Sequence, residues 1–118
     1  MDANQHAAAA GALIDALADH TRRSVFDLLC RSPRAVGELA AELPVSRPAV
    51  SQHLKVLKGA GLVREEADGA RRIYSVEVES LEPLRKYIES VWDTALGRFE
   101  QVANQQARAT RGRRKEAR

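Results

Sequence analysis

A chain of 118 residues is the size of one domain and can bury one modest core, which leaves little room for a large catalytic cavity. Apolar residues make up 44% of it but aromatics only 4%, a balance that favours helices packed with Leu, Val and Ala over a β-sandwich. The formal charge of +3 is unevenly spread, with +5 on residues 107–118 and −2 on the rest, so the position of each basic residue matters more than the total.

Residues 1–6 read as frayed. Residues 7–18 form a first helix, with Ala10, Leu13, Ile14 and Leu17 at helical spacing. Gly11 weakens it by about 1 kcal/mol relative to Ala. The run 7–14, AAAAGALI, faintly resembles a signal peptide, but no basic segment precedes it and Asp15 interrupts it. Nowhere does the chain approach the roughly 20 apolar residues of a membrane span.

Asp19 is a good N-cap for a second helix that runs to about Arg31, with Val25, Phe26, Leu28 and Leu29 inward. Ser32-Pro33 stops it. A short third helix covers Val36 to Leu43, with Leu39, Ala40 and Leu43 inward. Its cap position falls on Ala35, a poor cap, although Glu38 stands where a capping box needs it. Pro44 ends that helix, Ser46 caps a fourth, and Pro48 sits in the new first turn, where proline is tolerated. The fourth helix ends at Lys58, and Gly59 and Gly61 provide its exit. Leu62 to Ala67 and Arg71 to Val78 read as strands joined at Asp68-Gly69. A fifth helix begins near Ser80 and carries Leu81, Leu84, Ile88, Val91, Ala95, Phe99 and Val102, each three or four residues from the last, as in a heptad seam. Beyond about Gln105 the chain is polar and basic and is expected to be disordered. The division is therefore a folded domain over 1–106 and a basic tail over 107–118. The expected fold is mainly α with a small β-hairpin. Its order, four helices, a hairpin and a last helix, is the winged helix-turn-helix arrangement.

On a wheel of 100° per residue, Val50, Leu54 and Leu57 share the inner face of the fourth helix. Pro48, Gln52 and Lys55 lie opposite, with Ser51 and Lys58 on a flank. From Arg47 to Lys58 there is no acidic residue, in a chain with 16. Such a surface suits a helix entering the DNA major groove, where Arg reads guanine, Gln reads adenine and Ser reads either. Arg47, Ser51 and Gln52 are the base-reading candidates. Ser46, Lys55 and Lys58 are candidates for the DNA backbone, and so are Arg71 and Arg72 at the hairpin tip. The competing readings are an ordinary solvated helix face and, since Arg64, Glu65, Glu66 and Asp68 mix the charges there, a solvated hairpin.

The segments ALADHTRRSVFDLL and VGELAAELPVSRPAVSQHLKVLKGAGLVREEADGARRIYSV resemble the ArsR family of bacterial winged-helix repressors over about residues 12–100, and PVSRPAVSQHLKVLK is the most specific part. LEPLRKYIESVW is similar to the metal-independent branch that includes SdpR-type autorepressors. The resemblance implies a cytoplasmic, nucleoid-associated homodimer joined through its first and last helices. It also implies a palindromic double-stranded DNA operator and regulation of its own promoter. The interface candidates are Leu13, Leu17, Leu84, Ile88, Val91 and Phe99, because the fifth-helix seam is too long for the other helices to cover. The branch usually has proline at the position of His20 and often serine at that of Ala35. Founding members of the family sense metals through a Cys-x-Cys pair in the third helix. VGELAAEL has no Cys or His, so no metal site is carried over there.

Cys30 is the only cysteine, which excludes an intramolecular disulfide and a Cys-rich zinc site and fits a reducing compartment. It reads as a small core residue and alternatively as a redox sensor. His53 reads as half-buried and structural, and alternatively as a DNA contact. Trp92 reads as packed. No nucleophile–base motif, phosphate loop or His-rich spacing supports catalysis, and no cofactor is expected. Two other function classes stay open: a ligand- or redox-responsive switch with a pocket between the first and last helices, and a module that binds a protein partner.

Overall fold

The computed structural model describes residues 3–116. Helix α1 spans Ala3–Ala16 and α2 spans His20–Arg31. Helix α1 begins at Ala3, so residues 3–6, expected to be frayed, are helical, ahead of the residue 7 start that the apolar stripe indicates; residues 1 and 2 lie outside the described residues. The Asp19 carboxylate accepts the Arg22 N–H at 2.8 Å, satisfying one of the donors that a helix start leaves open. That bond is the main reason the Asp19 carboxyl is held below its ordinary range. Arg22 in turn donates its Nε–H to the Ala16 carbonyl, so one side chain fastens the end of α1 to the start of α2.

After α2 the chain makes a strand too short to show any periodicity, β1 (Arg34–Ala35), and passes directly into α3 (Val36–Glu42). Ala35 has no side-chain oxygen to cap α3. Glu38 supplies the other half of the capping box, its Oε1 accepting the Ala35 N–H at 3.3 Å. Helix α4 spans Arg47–Gly59, and the Ser46 hydroxyl accepts the Ala49 N–H at 3.3 Å. The exit from α4 turns on Gly61, whose φ of +81° is a conformation side chains disfavour.

The wing is formed by β2 (Val63–Asp68) and β3 (Arg71–Val76), paired antiparallel so that Asp68 faces Arg71. The two-residue loop is therefore Gly69-Ala70, one step later than Asp68-Gly69. Gly69 has φ +63° in the first place, as Gly-X hairpin loops require. β1 joins the free side of β3, Arg34 opposite Tyr74 and Ala35 opposite Ile73, giving a sheet ordered β1-β3-β2. A 3₁₀ turn over Val78–Leu81 replaces the expected end of the second strand and leads into α5, Glu82–Glu116.

Residues 107–116, expected to be disordered, continue α5 as its last turns. Ala107, Arg108, Ala109 and Arg111 are strong helix formers and need no tertiary partner to favour that backbone. Residues 117 and 118 lie outside the described residues.

Leu13 and Ala16 of α1, Val25, Phe26 and Leu29 of α2, Leu39 of α3, and Val50, Leu54 and Leu57 of α4 form one core, with Leu62 and Val63 at the root of the wing. α5 packs against α1, and Leu84 in its first turn lies against the core. The core thus fixes α3, α4 and the wing relative to one another.

Candidate DNA interface

Helix α4 is closed on one side and open on the other. Val50, Leu54 and Leu57 are fully buried, whereas Arg47, Pro48, Ser51, Gln52, Lys55 and Lys58 are all exposed. Ser51 and Gln52 are both exposed, Gln52 opposite the buried face and Ser51 on its flank, as the wheel predicts. Ser46 is exposed too. Its hydroxyl accepts from Ala49, which leaves its own O–H proton to donate outward.

Carboxylates already engage three of the backbone candidates. Lys58 Nζ lies 2.6 Å from Glu65 Oε1, Arg72 Nη1 lies 3.8 Å from the same oxygen, and Arg71 Nη2 lies 3.2 Å from Glu38 Oε1. The Lys58 hydrogen bond, with a second from Tyr74, holds the Glu65 carboxyl below its ordinary range. Pairs this exposed are weak and can be exchanged for phosphate. Arg47 and Lys55 have no such partner among the described residues. The Arg47 guanidinium is folded back against Gly37 at the start of α3. Sequence reasoning missed Gly37, Glu38 and Glu65 as parts of this surface. Glu38 had a visible signal in its capping position, but its pairing with Arg71 spans 33 residues and leaves no local trace.

The profile of the bacterial regulatory protein, arsR family, matches residues 19–65, the segment from the cap of α2 into the wing. The HTH-type transcriptional regulator Rv2034 of Mycobacterium tuberculosis is 52% identical over 87 residues, which cover 74% of this chain and 81% of that one. The chain belongs to the ArsR family. It is accordingly a winged-helix, DNA-binding transcription regulator and not an enzyme. It is also similar to the transcriptional repressor SdpR of Bacillus subtilis, 33% identical over 67 residues, which cover 57% of this chain and 74% of that one. An ArsR-like transcriptional regulator from Rhodococcus sp. RHA1 superposes with a TM-score of 0.66 at 32% identity, covering 81% of this chain and 93% of that one.

The other candidate surface of this ArsR protein is α5. Ile88 is 56% exposed, Trp92 64% and Phe99 69%, and Val91, Leu96 and Val102 are also open. Trp92, read as packed, is therefore uncovered by its own chain. Leu17 and Leu84 are half-buried against the core. Leu13 is only 4% exposed and belongs to the chain's own core, which removes it from any face a partner would meet; its neighbour Ile14 is exposed. An apolar groove of about 500 Å³ runs between Leu17, Phe26, Leu81, Leu84 and Ile88.

Cys30 is exposed rather than part of the core. Partial burial, and then the charge of Asp27, push its thiol up, away from the reactive thiolate. His53 is half-buried with Nδ1 4.0 Å from Asp19 Oδ1. Among the described residues no group of three His, Cys, Asp or Glu could hold a metal, and no helix is long and apolar enough to cross a membrane.

Proposed function

We propose that the protein acts as a homodimeric repressor on an inverted-repeat operator, each chain placing its α4 in a major groove. The observation that carries this reading is the exposed, acid-free face of α4 set beside an arginine-bearing wing on one rigid core. Gln52 and Ser51 read base edges. Lys55, Lys58, Ser46, Arg71 and Arg72 meet the backbone. Ile88, Val91 and Phe99, with Trp92, are buried against the second copy, and burial of each such side chain favours association by about 1.5–3 kcal/mol. The repressor works in the cytoplasm on nucleoid DNA without a bound metal, and its own promoter is among its sites.

Selection of bound fragments from genomic DNA, followed by footprinting, tests the reading. It should return an inverted repeat whose half-sites lie one helical turn, roughly 10 bp, apart. Gln52→Ala should then weaken that operator by about 1–3 kcal/mol per half-site and leave random duplex untouched. Operator affinity should be equal with chelator and with low-micromolar zinc. A second reading, a ligand-responsive switch, is favoured by the apolar groove beside Leu17 and Ile88. Release of the operator on adding metabolite extract would establish it.

A further inference from the structure

We propose that the cleft between α3, the start of α4 and the wing seats one phosphate of the DNA backbone, and that Arg47 acts there rather than at a base edge. The inference rests on the DNA-binding reading above and refines it. The cleft has a volume of about 430 Å³ and is lined by Ala35, Val36, Gly37 and Glu38 on one side and by Arg47, Arg71 and Arg72 on the others. Three arginines therefore line it against one carboxylate, Glu38, with the Arg72 guanidinium turned toward Glu65 at 3.8 Å and those of Arg47 and Arg71 nearest Gly37 and Glu38.

Gly37 makes the arrangement possible. A Cβ at that position would stand 2.9 Å from Arg47 Nη2, closer than real side-chain carbons come, so the guanidinium tip would have to shift; its Cζ, at 3.4 Å, would be in ordinary contact. The absent side chain is the space that the guanidinium occupies, turned from the first residue of α4 toward α3 and the wing. Because Arg47 has no carboxylate partner among the described residues, its charge is available to an incoming anion. A planar guanidinium binds phosphate oxygens in pairs, which suits it to a fixed seat better than a lysine would be.

Glu38 occupies the seat when DNA is absent. Its Oε1 both accepts the Ala35 N–H at 3.3 Å and faces Arg71 Nη2 at 3.2 Å. Entry of a phosphate exchanges the second contact and leaves the first, so Arg71 changes partners while α3 keeps its cap.

The test is fluorescence anisotropy with the full chain, on the selected operator and on a random-sequence duplex, across a range of salt. Losing one phosphate contact removes about 0.9 from the slope of log affinity against log salt, roughly a five-fold loss per chain at physiological salt. Arg47→Ala should show that loss equally on both duplexes. Gly37→Ala, which displaces the guanidinium tip, should weaken both duplexes in the same direction but by less than Arg47→Ala, and add nothing in the Arg47→Ala background. Glu38→Gln keeps a cap acceptor, removes the charge and should tighten both complexes. If Gly37→Ala lowers thermal stability, the salt slope of Arg47→Ala decides alone. Loss of operator affinity with random-duplex binding unchanged would make Arg47 a base reader and overturn the proposal. A wild-type chain that binds neither duplex would overturn the DNA reading itself, whereas a binding wild type with an unaffected Arg47→Ala overturns only the phosphate seat.

Discussion

Helices α4 and α5 treat their apolar residues in opposite ways. In α4, Val50, Leu54 and Leu57 reach full burial within a single chain, and what remains outside is mostly polar or cationic. In α5, Ile88, Trp92 and Phe99 stay more than half exposed over a helix of 35 residues. One helix is complete in the monomer and its open face suits water or phosphate. The other is incomplete in the monomer, and its open face matches the chemistry of a protein interior. A single core therefore carries two surfaces of different chemistry, and a substitution on one should leave the local structure of the other intact.

The largest expected effect breaks the α5 side. Ile88→Glu should leave the circular dichroism of the chain intact yet give monomers in sedimentation, and operator affinity should fall at least about 100-fold as two linked half-site contacts become independent. A wild-type protein that sediments as a monomer at micromolar concentration would end the comparison. Leu54→Ala breaks the α4 side from within. Its side chain is fully buried, so chemical denaturation should show about 2–5 kcal/mol of lost stability. DNA binding should then fall only through the unfolded fraction. Deleting residues 107–118 should leave the melting temperature unchanged, because the side chains over 107–113 are exposed, while affinity for all DNA falls and the salt slope flattens. The smallest effect is at the α1–α2 junction. The Asp19 carboxyl lies below its ordinary range because it accepts the Arg22 N–H, so its stabilising contribution is complete above the usual Asp range, about pH 4, and is lost as pH falls through the lowered value. Asp19→Asn keeps the cap and should flatten the acid side of the stability curve, as a pH series of thermal melts would show.

Much of this fold was legible in the sequence because its signals are local. Asp19, Ser46 and the prolines punctuate α2 to α4 within a few residues, and the wheel of α4 sorts Leu54 from Gln52 without tertiary knowledge. What escaped was set by distance along the chain. Two residues of β1 carry no period, and their strand character comes from Ile73 and Tyr74. The loop at Gly69-Ala70 depends on the register of Asp68 against Arg71, which the dipeptide Asp-Gly misplaces by one step. Leu13 fits a seam and a core equally well until α1 and α5 are packed together. The exposed residue types of α4 were readable from the pattern, but the position of the Arg47 guanidinium against Gly37 was not, since Gly37 lies on another helix.

The pairing of β1 with β3 has a mechanical consequence. The wing could have hung from α4 as a free hairpin and adjusted its angle to whatever duplex it met. Instead Arg34 and Ala35 pair with its inner strand directly before α3, so the hairpin is anchored to the helix that packs against α4. The short strand thus couples the angle of the wing to that of α3 and, through the shared core, to α4.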